Sequence, residues 1–150
     1  MTTILYLVAA VSGAAFLHPY LFYPLSLRFM RSRPLADGSG PRLTASLLFA
    51  AYNEERSLPA KLENIAAIKA LHPDLEVLAY SDMSTDATLD LLSARPDLLR
   101  VIPAAQRTGK ATGMRRMVDQ ARGEVCIFTD ANVLLNPGSV APLLDYFRNP

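Results

Sequence analysis

Between residues 44 and 147, four runs of β-forming residues alternate with stretches of helical periodicity, and each run ends close to a polar cluster. Strands separated by helices at this spacing pair naturally as a parallel sheet with right-handed crossovers, since each return to the same end of a sheet needs a long connection. The runs are Thr44 to Ala50, Leu75 to Tyr80, Leu98 to Pro103 and Glu124 to Thr129. The first is continuously apolar, as a strand covered on both faces must be. Leu58, Leu62, Ile65 and Ala66 follow at helical spacing, with Ser57 placed as N-cap and Pro59 in the first turn. Thr85 to Ala94 reads as a short helix capped by Ser84 and stopped before Pro96. Lys110 to Arg122 puts Met114, Met117, Val118 and Ala121 on one face, with Gly123 as its expected C′ residue. Pro137 opens a last helix through Phe147. The expected fold class is α/β, a parallel sheet whose ligands bind beyond the carboxyl ends of the strands.

Ahead of this pattern lies a different kind of segment. From Ile4 onward no charged residue appears before Arg28. About 20 apolar residues at ~1.5 Å each cross a bilayer core, so residues 1–33 are expected to form a membrane anchor with a basic flank. Pro19 and Pro24 should kink the helix. Tyr20 and Tyr23 suit an interface, and Arg28, Arg31 and Arg33 suit its cytoplasmic side. A signal peptide would need a basic n-region and a small-residue cleavage site, and neither is present; a buried or amphipathic soluble helix is the other alternative. Residues 34–43, with Pro34, Gly38, Gly40 and Pro41, have the composition of a linker, which leaves 44–150 as the globular domain.

Composition excludes several classes. After residue 33 there are 12 basic against 14 acidic residues, so no electrostatic footprint for nucleic acid exists. Cys126 is the only cysteine, which removes intrachain disulfides, structural zinc and redox pairs. His18 and His72 have no metal-ligand spacing. A G-x-G-x-x-G fingerprint is absent, and Gly109-Lys110 lacks the other residues of a P-loop. A nucleotidyltransferase would want a Gly-rich loop where this chain has Tyr52-Asn53-Glu54.

The chemistry is expected at the strand ends. The first ends in Ala51-Tyr52-Asn53-Glu54-Glu55, where Tyr52 offers a face for stacking a base and Asn53 and Glu54 can bond ribose; an ordinary strand-to-helix loop would also use such residues. The second ends in Ser81-Asp82-Met83-Ser84-Thr85-Asp86. Asp82 can accept from an imide N–H of uracil, whereas Asp86 suits the oncoming helix start. Gln106-Arg107-Thr108-Gly109-Lys110 follows the third, with Lys110 either a diphosphate contact or a solvated lysine. The fourth ends in Phe128-Thr129-Asp130-Ala131-Asn132, in which a carboxylate and an amide two residues apart can hold a hard cation and its phosphates.

These four motifs, in this order, resemble family 2 glycosyltransferases of the GT-A fold over about Ala45 to Pro137. With the N-terminal apolar segment, the resemblance is to the membrane-bound branch that includes cellulose and hyaluronan synthases. It implies an inverting, metal-dependent transfer from a nucleotide-sugar, foremost a UDP-sugar, to a glycan or lipid acceptor at the cell membrane, with the single-pass chain's globular part cytoplasmic. Ala51, Tyr52, Asn53, Glu54, Asp82, Lys110 and Asp130 would then contact the nucleotide, and Asp130 with Asn132 a divalent cation, Mg²⁺ or Mn²⁺. Met83 stands where the family usually has glycine, Arg115 where it commonly has asparagine, and Asn132 replaces the second carboxylate of D-x-D. No Gln-x-x-Arg-Trp element follows, and the chain contains no tryptophan. The catalytic base is therefore expected beyond Pro150 and the chain to be a fragment, with a membrane-tethered nucleotide-binding module as the alternative.

Overall fold

The computed structural model describes residues 1–30, 40–41 and 43–148. Most of the expected linker, together with Arg31 and Arg33, lies outside the described residues. The chain divides into two units, 1–35 and 36–150.

In the first unit, helix α1 (Thr2–Leu17) runs through a five-residue π turn (His18–Phe22) into α2 (Tyr23–Leu27). Pro19 lies within the widened turn and Pro24 just after it; neither has an N–H to donate and each ring crowds the turn before it, which disfavours an unbroken α-helical ladder here. The Tyr23 N–H accordingly reaches back to the His18 carbonyl. Ser26 Oγ donates to the Tyr23 carbonyl at 2.7 Å. The continuous helix Thr2–Leu27 spans 26 residues and is long and apolar enough to cross a membrane.

The second unit is built on four parallel strands, β1 (Ala45–Ala51), β2 (Glu76–Ser81), β3 (Arg100–Pro103) and β4 (Val125–Asp130), in the order β3-β2-β1-β4. Alternate residues of β1 feed two hydrophobic layers. Leu47, Phe49 and Ala51 pack with Leu58, Leu62, Ile65 and Ile68 of α3 (Leu58–Leu71) and Leu92 of α4 (Thr88–Ser93). Leu48 instead packs with Leu78, Tyr80 and Met117, the last from α5 (Lys110–Val118). The continuous apolar run is thus explained by cover on both faces, and each fully buried Leu or Phe contributes about 1.5–3 kcal/mol.

Strand order reverses after β3: the chain moves outward from β1 to β3, then crosses by α5 to the other side of β1. The crevice between β1 and β4 is therefore the topological switch point, where open α/β sheets bind ligands.

Element starts depart from expectation in instructive ways. Ser57 occupies the N-cap position of α3, but its hydroxyl makes no cap bond and donates to the Glu54 carbonyl (3.2 Å) and carboxylate. Helix α4 begins at Thr88 and not after Ser84, because Asp86 Oδ1 accepts from the Thr88 N–H at 3.0 Å. Helix α5 ends at Val118, so Gly123 is not its C′ residue. A Cβ on Gly123 would fall 2.4 Å from the Ala45 carbonyl carbon and 2.5 Å from the Ser46 nitrogen. That glycine is required by close packing against β1. The last helical stretch splits into a 3₁₀ turn (Pro137–Ser139) and α6 (Val140–Phe147).

Candidate functional site

The four strand-end motifs converge on the switch point. A cleft of about 260 Å³ is lined by Ala50, Ala51, Tyr52, Glu54, Asp82, Lys110, Asp130, Ala131 and Asn132. Parallel register brings them together, since Ala50 sits opposite both Tyr80 and Asp130, and Ala51 opposite Ser81. Of the residues expected to meet a nucleotide, only Asn53 is absent from the lining.

Asn53 ties loops together instead. Its Oδ1 accepts from the Thr85 N–H at 2.9 Å, and its own N–H donates to Ser84 Oγ at 3.2 Å. The backbone there is left-handed (φ 54°), a conformation asparagine tolerates better than most residues. Met83 in the facing loop is also left-handed (φ 56°) and exposed. A non-glycine residue in this region costs about 1–2 kcal/mol, partly offset by the extra freedom glycine has when unfolded. Met83→Gly is expected to stabilise the domain by about 0.5 kcal/mol, read as a rise in the urea midpoint at unchanged slope.

Asp82 is 4% exposed and is almost wholly engaged with the Gly-Lys turn. Oδ1 accepts from the Thr108 N–H (2.7 Å) and hydroxyl (3.2 Å), and Oδ2 from the Gly109 N–H (2.9 Å). Burial opposes its charge, but these bonds and nearby Arg107 outweigh it and hold the carboxyl below its usual value. The Thr108 hydroxyl also bonds the Tyr80 hydroxyl at 2.6 Å. Gly109 adopts φ 83° before α5, as the turn requires. Tyr52, 37% exposed, carries the Arg107 guanidinium 4.0 Å above its ring, a cation–π contact.

Lys110 forms an ion pair with Asp130 across the mouth of the cleft, and both side chains are at least half exposed. A cation at Asp130 is thus already compatible with the local field. Among the described residues no group of three or more carboxylate, His or Cys side chains could hold a metal by itself. The donor set of one carboxylate (Asp130) and one amide oxygen (Asn132) suits Mg²⁺ or Mn²⁺ only in the manner of ions that keep several waters and share a substrate's phosphates.

Behind Asp130 lies Lys61, whose side chain sequence reading missed. It is fully buried, and its ammonium donates to Thr129 Oγ1 (3.2 Å) and the Val133 carbonyl (2.6 Å). Burial lowers its pKa from 10.5 to about 8, with the Asp130 charge opposing the shift. A lysine whose pKa falls on folding penalises the folded state while charged. Between about pH 8 and 10.5 the unfolded chain binds more protons, so stability rises across that window. The expected gain is on the order of 2 kcal/mol, and it should vanish in Lys61→Met when denaturation is compared at pH 8 and pH 10. The sequence does contain a signal: Lys61 sits three residues after Leu58 and four before Ile65, on the apolar face of α3.

Residues 46–150 match the model of glycosyl transferase family 2. The chain belongs to this family. Among the proteins it is similar to, the dodecaprenyl-phosphate galacturonate synthase of Rhizobium johnstonii is 28% identical over 109 residues, covering 68% of this chain and 32% of the relative. The dolichyl-phosphate beta-glucosyltransferase of Drosophila melanogaster is 32% identical over 103 residues, covering 61% and 32%. The undecaprenyl-phosphate 4-deoxy-4-formamido-L-arabinose transferase of Serratia proteamaculans is 32% identical over 109 residues, covering 69% and 33%. The chain spans about a third of the length of these curated relatives. Their names are those of lipid-phosphate sugar transferases, so family 2 membership stands while the narrower cellulose and hyaluronan synthase branch is not singled out. A solved mannosyltransferase from Pyrobaculum calidifontis, in complex with GDP-Man and Mn²⁺, superposes with a TM-score of 0.78 at 27% identity, covering 95% of this chain and 43% of the neighbour. The S. aureus protein TarS, solved with UDP-GlcNAc, shares the fold at a TM-score of 0.60, 24% identity and 67% of this chain against 30% of its own.

Proposed function

We propose that this chain forms the donor-nucleotide side of a membrane-anchored glycosyltransferase that moves a sugar from a nucleoside-diphosphate sugar, UDP-linked in the first instance, to a lipid-linked acceptor. The observation that carries this reading is the switch-point cleft, which gathers an aromatic ring, a buried carboxylate, an exposed ammonium and the Asp130-Ala131-Asn132 strand end. Tyr52 supplies a stacking face worth ~1–3 kcal/mol to a base. Asp82 fixes the Thr108-Gly109 turn and retains acceptor capacity for a base N–H, since each carboxylate oxygen has two lone pairs. Lys110, exposed and at the start of α5, can exchange its bond to Asp130 for one to a diphosphate. Asp130 and Asn132 would hold a divalent cation shared with that diphosphate. Once bound, such a cation offsets the charge growing on the leaving group.

The acceptor class is suggested by the relatives, whose names specify dodecaprenyl, dolichyl and undecaprenyl phosphates. The helix Thr2–Leu27 would keep the domain at the membrane where such lipids reside, with Arg28 favouring a cytoplasmic globular part. With such a lipid phosphate as acceptor, an anionic phosphate oxygen would form the new bond to the anomeric carbon as the bond to the nucleoside diphosphate breaks, and no base is needed; only a hydroxyl acceptor would require one.

Titration of the full chain in detergent with UDP and with GDP, each with and without Mn²⁺, tests the donor site. Mn²⁺-dependent binding that weakens at least about tenfold in Asp130→Ala, or about 1.4 kcal/mol, is expected. No binding by the unaltered chain overturns the reading. Binding indifferent to both Mn²⁺ and Asp130→Ala would point to a tethered nucleotide-binding module without transfer.

A further inference from the structure

Helix α3 turns two polar side chains inward, toward the segment that follows β4. Lys61 is fully buried, and among the described residues no carboxylate lies within ion-pair distance of it. Its ammonium bonds Thr129 Oγ1 and the Val133 carbonyl and lies 5.5 Å from the centre of the Phe49 ring. One turn later, Asn64 grips Leu135 by both backbone groups: Nδ2 donates to the Leu135 carbonyl at 2.7 Å, and Oδ1 accepts from the Leu135 N–H at 2.9 Å. Between these anchors Asp130 closes β4 opposite Ala50, and its carbonyl accepts from the Val133 N–H at 3.2 Å and from Thr129 Oγ1 at 3.5 Å. Everything from Thr129 to Leu135 is thus strapped to α3 at both ends, and Asp130, Ala131 and Asn132 lie inside the strap.

Stability alone does not call for this arrangement. A methionine or leucine at position 61 would extend the apolar face of Leu58, Leu62 and Ile65 and avoid desolvating an ammonium, and replacing buried charges by apolar groups is often neutral or stabilising. What an apolar residue could not do is donate to the Thr129 hydroxyl and the Val133 carbonyl together. Polar groups on a rigid helix can hold a loop to the fraction of an ångström that a binding site needs.

We infer that Lys61 and Asn64 are positioning residues of the donor site, a K-x-x-N clamp on α3 that sets where the Asp130 carboxylate and the Asn132 amide stand in the cleft. The inference rests on the reading that Asp130 and Asn132 meet the diphosphate and its cation. Neither clamp residue touches the nucleotide; both act through the Thr129–Leu135 segment.

Two readouts on the full chain test it, one free of any ligand. Hydrogen exchange in Lys61→Met should quicken at least about tenfold over residues 130–135 while β1 and β2 keep their protection. In parallel, Mn²⁺-dependent UDP affinity should fall about tenfold, uridine affinity should hold, and adding Asp130→Ala should produce no further loss. A residue of purely structural importance would lower uridine and UDP binding alike. Asn64→Ala, at a half-buried position, should show the same pattern more weakly and decides the matter if Lys61→Met does not fold. Unchanged exchange over 130–135 in both variants, or parallel loss of uridine and UDP binding, overturns the clamp. Failure of the unaltered chain to bind UDP would instead remove the donor-site reading, and the exchange result would still report on the clamp.

Discussion

Asp82→Ala is expected to destabilise the domain by about 3 kcal/mol and to free the turn at Gly109-Lys110. Hydrogen bonds to a charged group contribute ~1.5–3 kcal/mol each, and a donor left unsatisfied adds a desolvation cost of its own. Asp82 accepts three, two of them from backbone N–H groups that have no helix or strand partner in the turn. The loss is shared among bonds that form as a unit, which keeps it well below their sum. Urea denaturation reads the stability, and amide exchange at Thr108 and Gly109 reads the turn. The carboxyl is held below its ordinary value when folded. Its contribution is therefore complete above the unfolded value near pH 4 and disappears as pH falls through the lower folded value. Asp82→Ala should accordingly show a shallower acid transition than the parent chain. An equal stability for the two chains at neutral pH would remove Asp82 from its place as organiser of the turn.

Gly123→Ala is expected to be at least as damaging, with a loss of about 3 kcal/mol or more. The added methyl would meet the Ala45 carbonyl carbon, the Ser46 nitrogen and the Ala45 Cα at 2.4, 2.5 and 2.7 Å. All three belong to the backbone of β1, which is paired on one side with β2 and on the other with β4. No rotamer change can relieve such a contact. Moving Gly123 away would also break its N–H bond to Ser46 Oγ (2.9 Å), the same hydroxyl that donates to Glu76 at 2.5 Å. Gly13 provides the contrast, since nothing lies within 4 Å of its Cβ position. A Gly123→Ala chain with unaltered unfolding midpoint would show that this entry to β4 is far softer than its geometry states.

What the sequence disclosed follows from which forces are local. β1 was legible because burial on both faces demands an unbroken apolar run, and Leu47, Leu48 and Phe49 supply it. The order of polar strand ends was legible because a parallel sheet delivers every strand's carboxyl end to one side. Helix starts were legible only in part: Asp86 suits the start of α4 and does accept from the Thr88 N–H two residues on, but its second bond, accepted from the Glu55 N–H of the facing loop, is tertiary, and Ser84 is not the cap. Gly123 illustrates the same limit, since only the tertiary structure reveals β1 pressed against it. Lys61 and Asn64 were passed over for a related reason. A lysine on an apolar helix face signals something, but its partners at Thr129 and Val133 lie about seventy residues downstream.

The stitching of the strand-end loops has a thermodynamic consequence. Glu54 N–H to Thr88 Oγ1, Thr85 N–H to Asn53 Oδ1, and Thr108 and Gly109 N–H to Asp82 join three loops into one braced rim. Ordering a flexible side chain or loop at the moment of binding costs ~0.5–1.5 kcal/mol per group. In this domain that entropy is surrendered during folding, before any ligand arrives. Lys110, Asn132 and the Arg107 cap on Tyr52 are exposed exceptions, so freedom still to be lost on association lies in those side chains, on a frame whose loops are already joined.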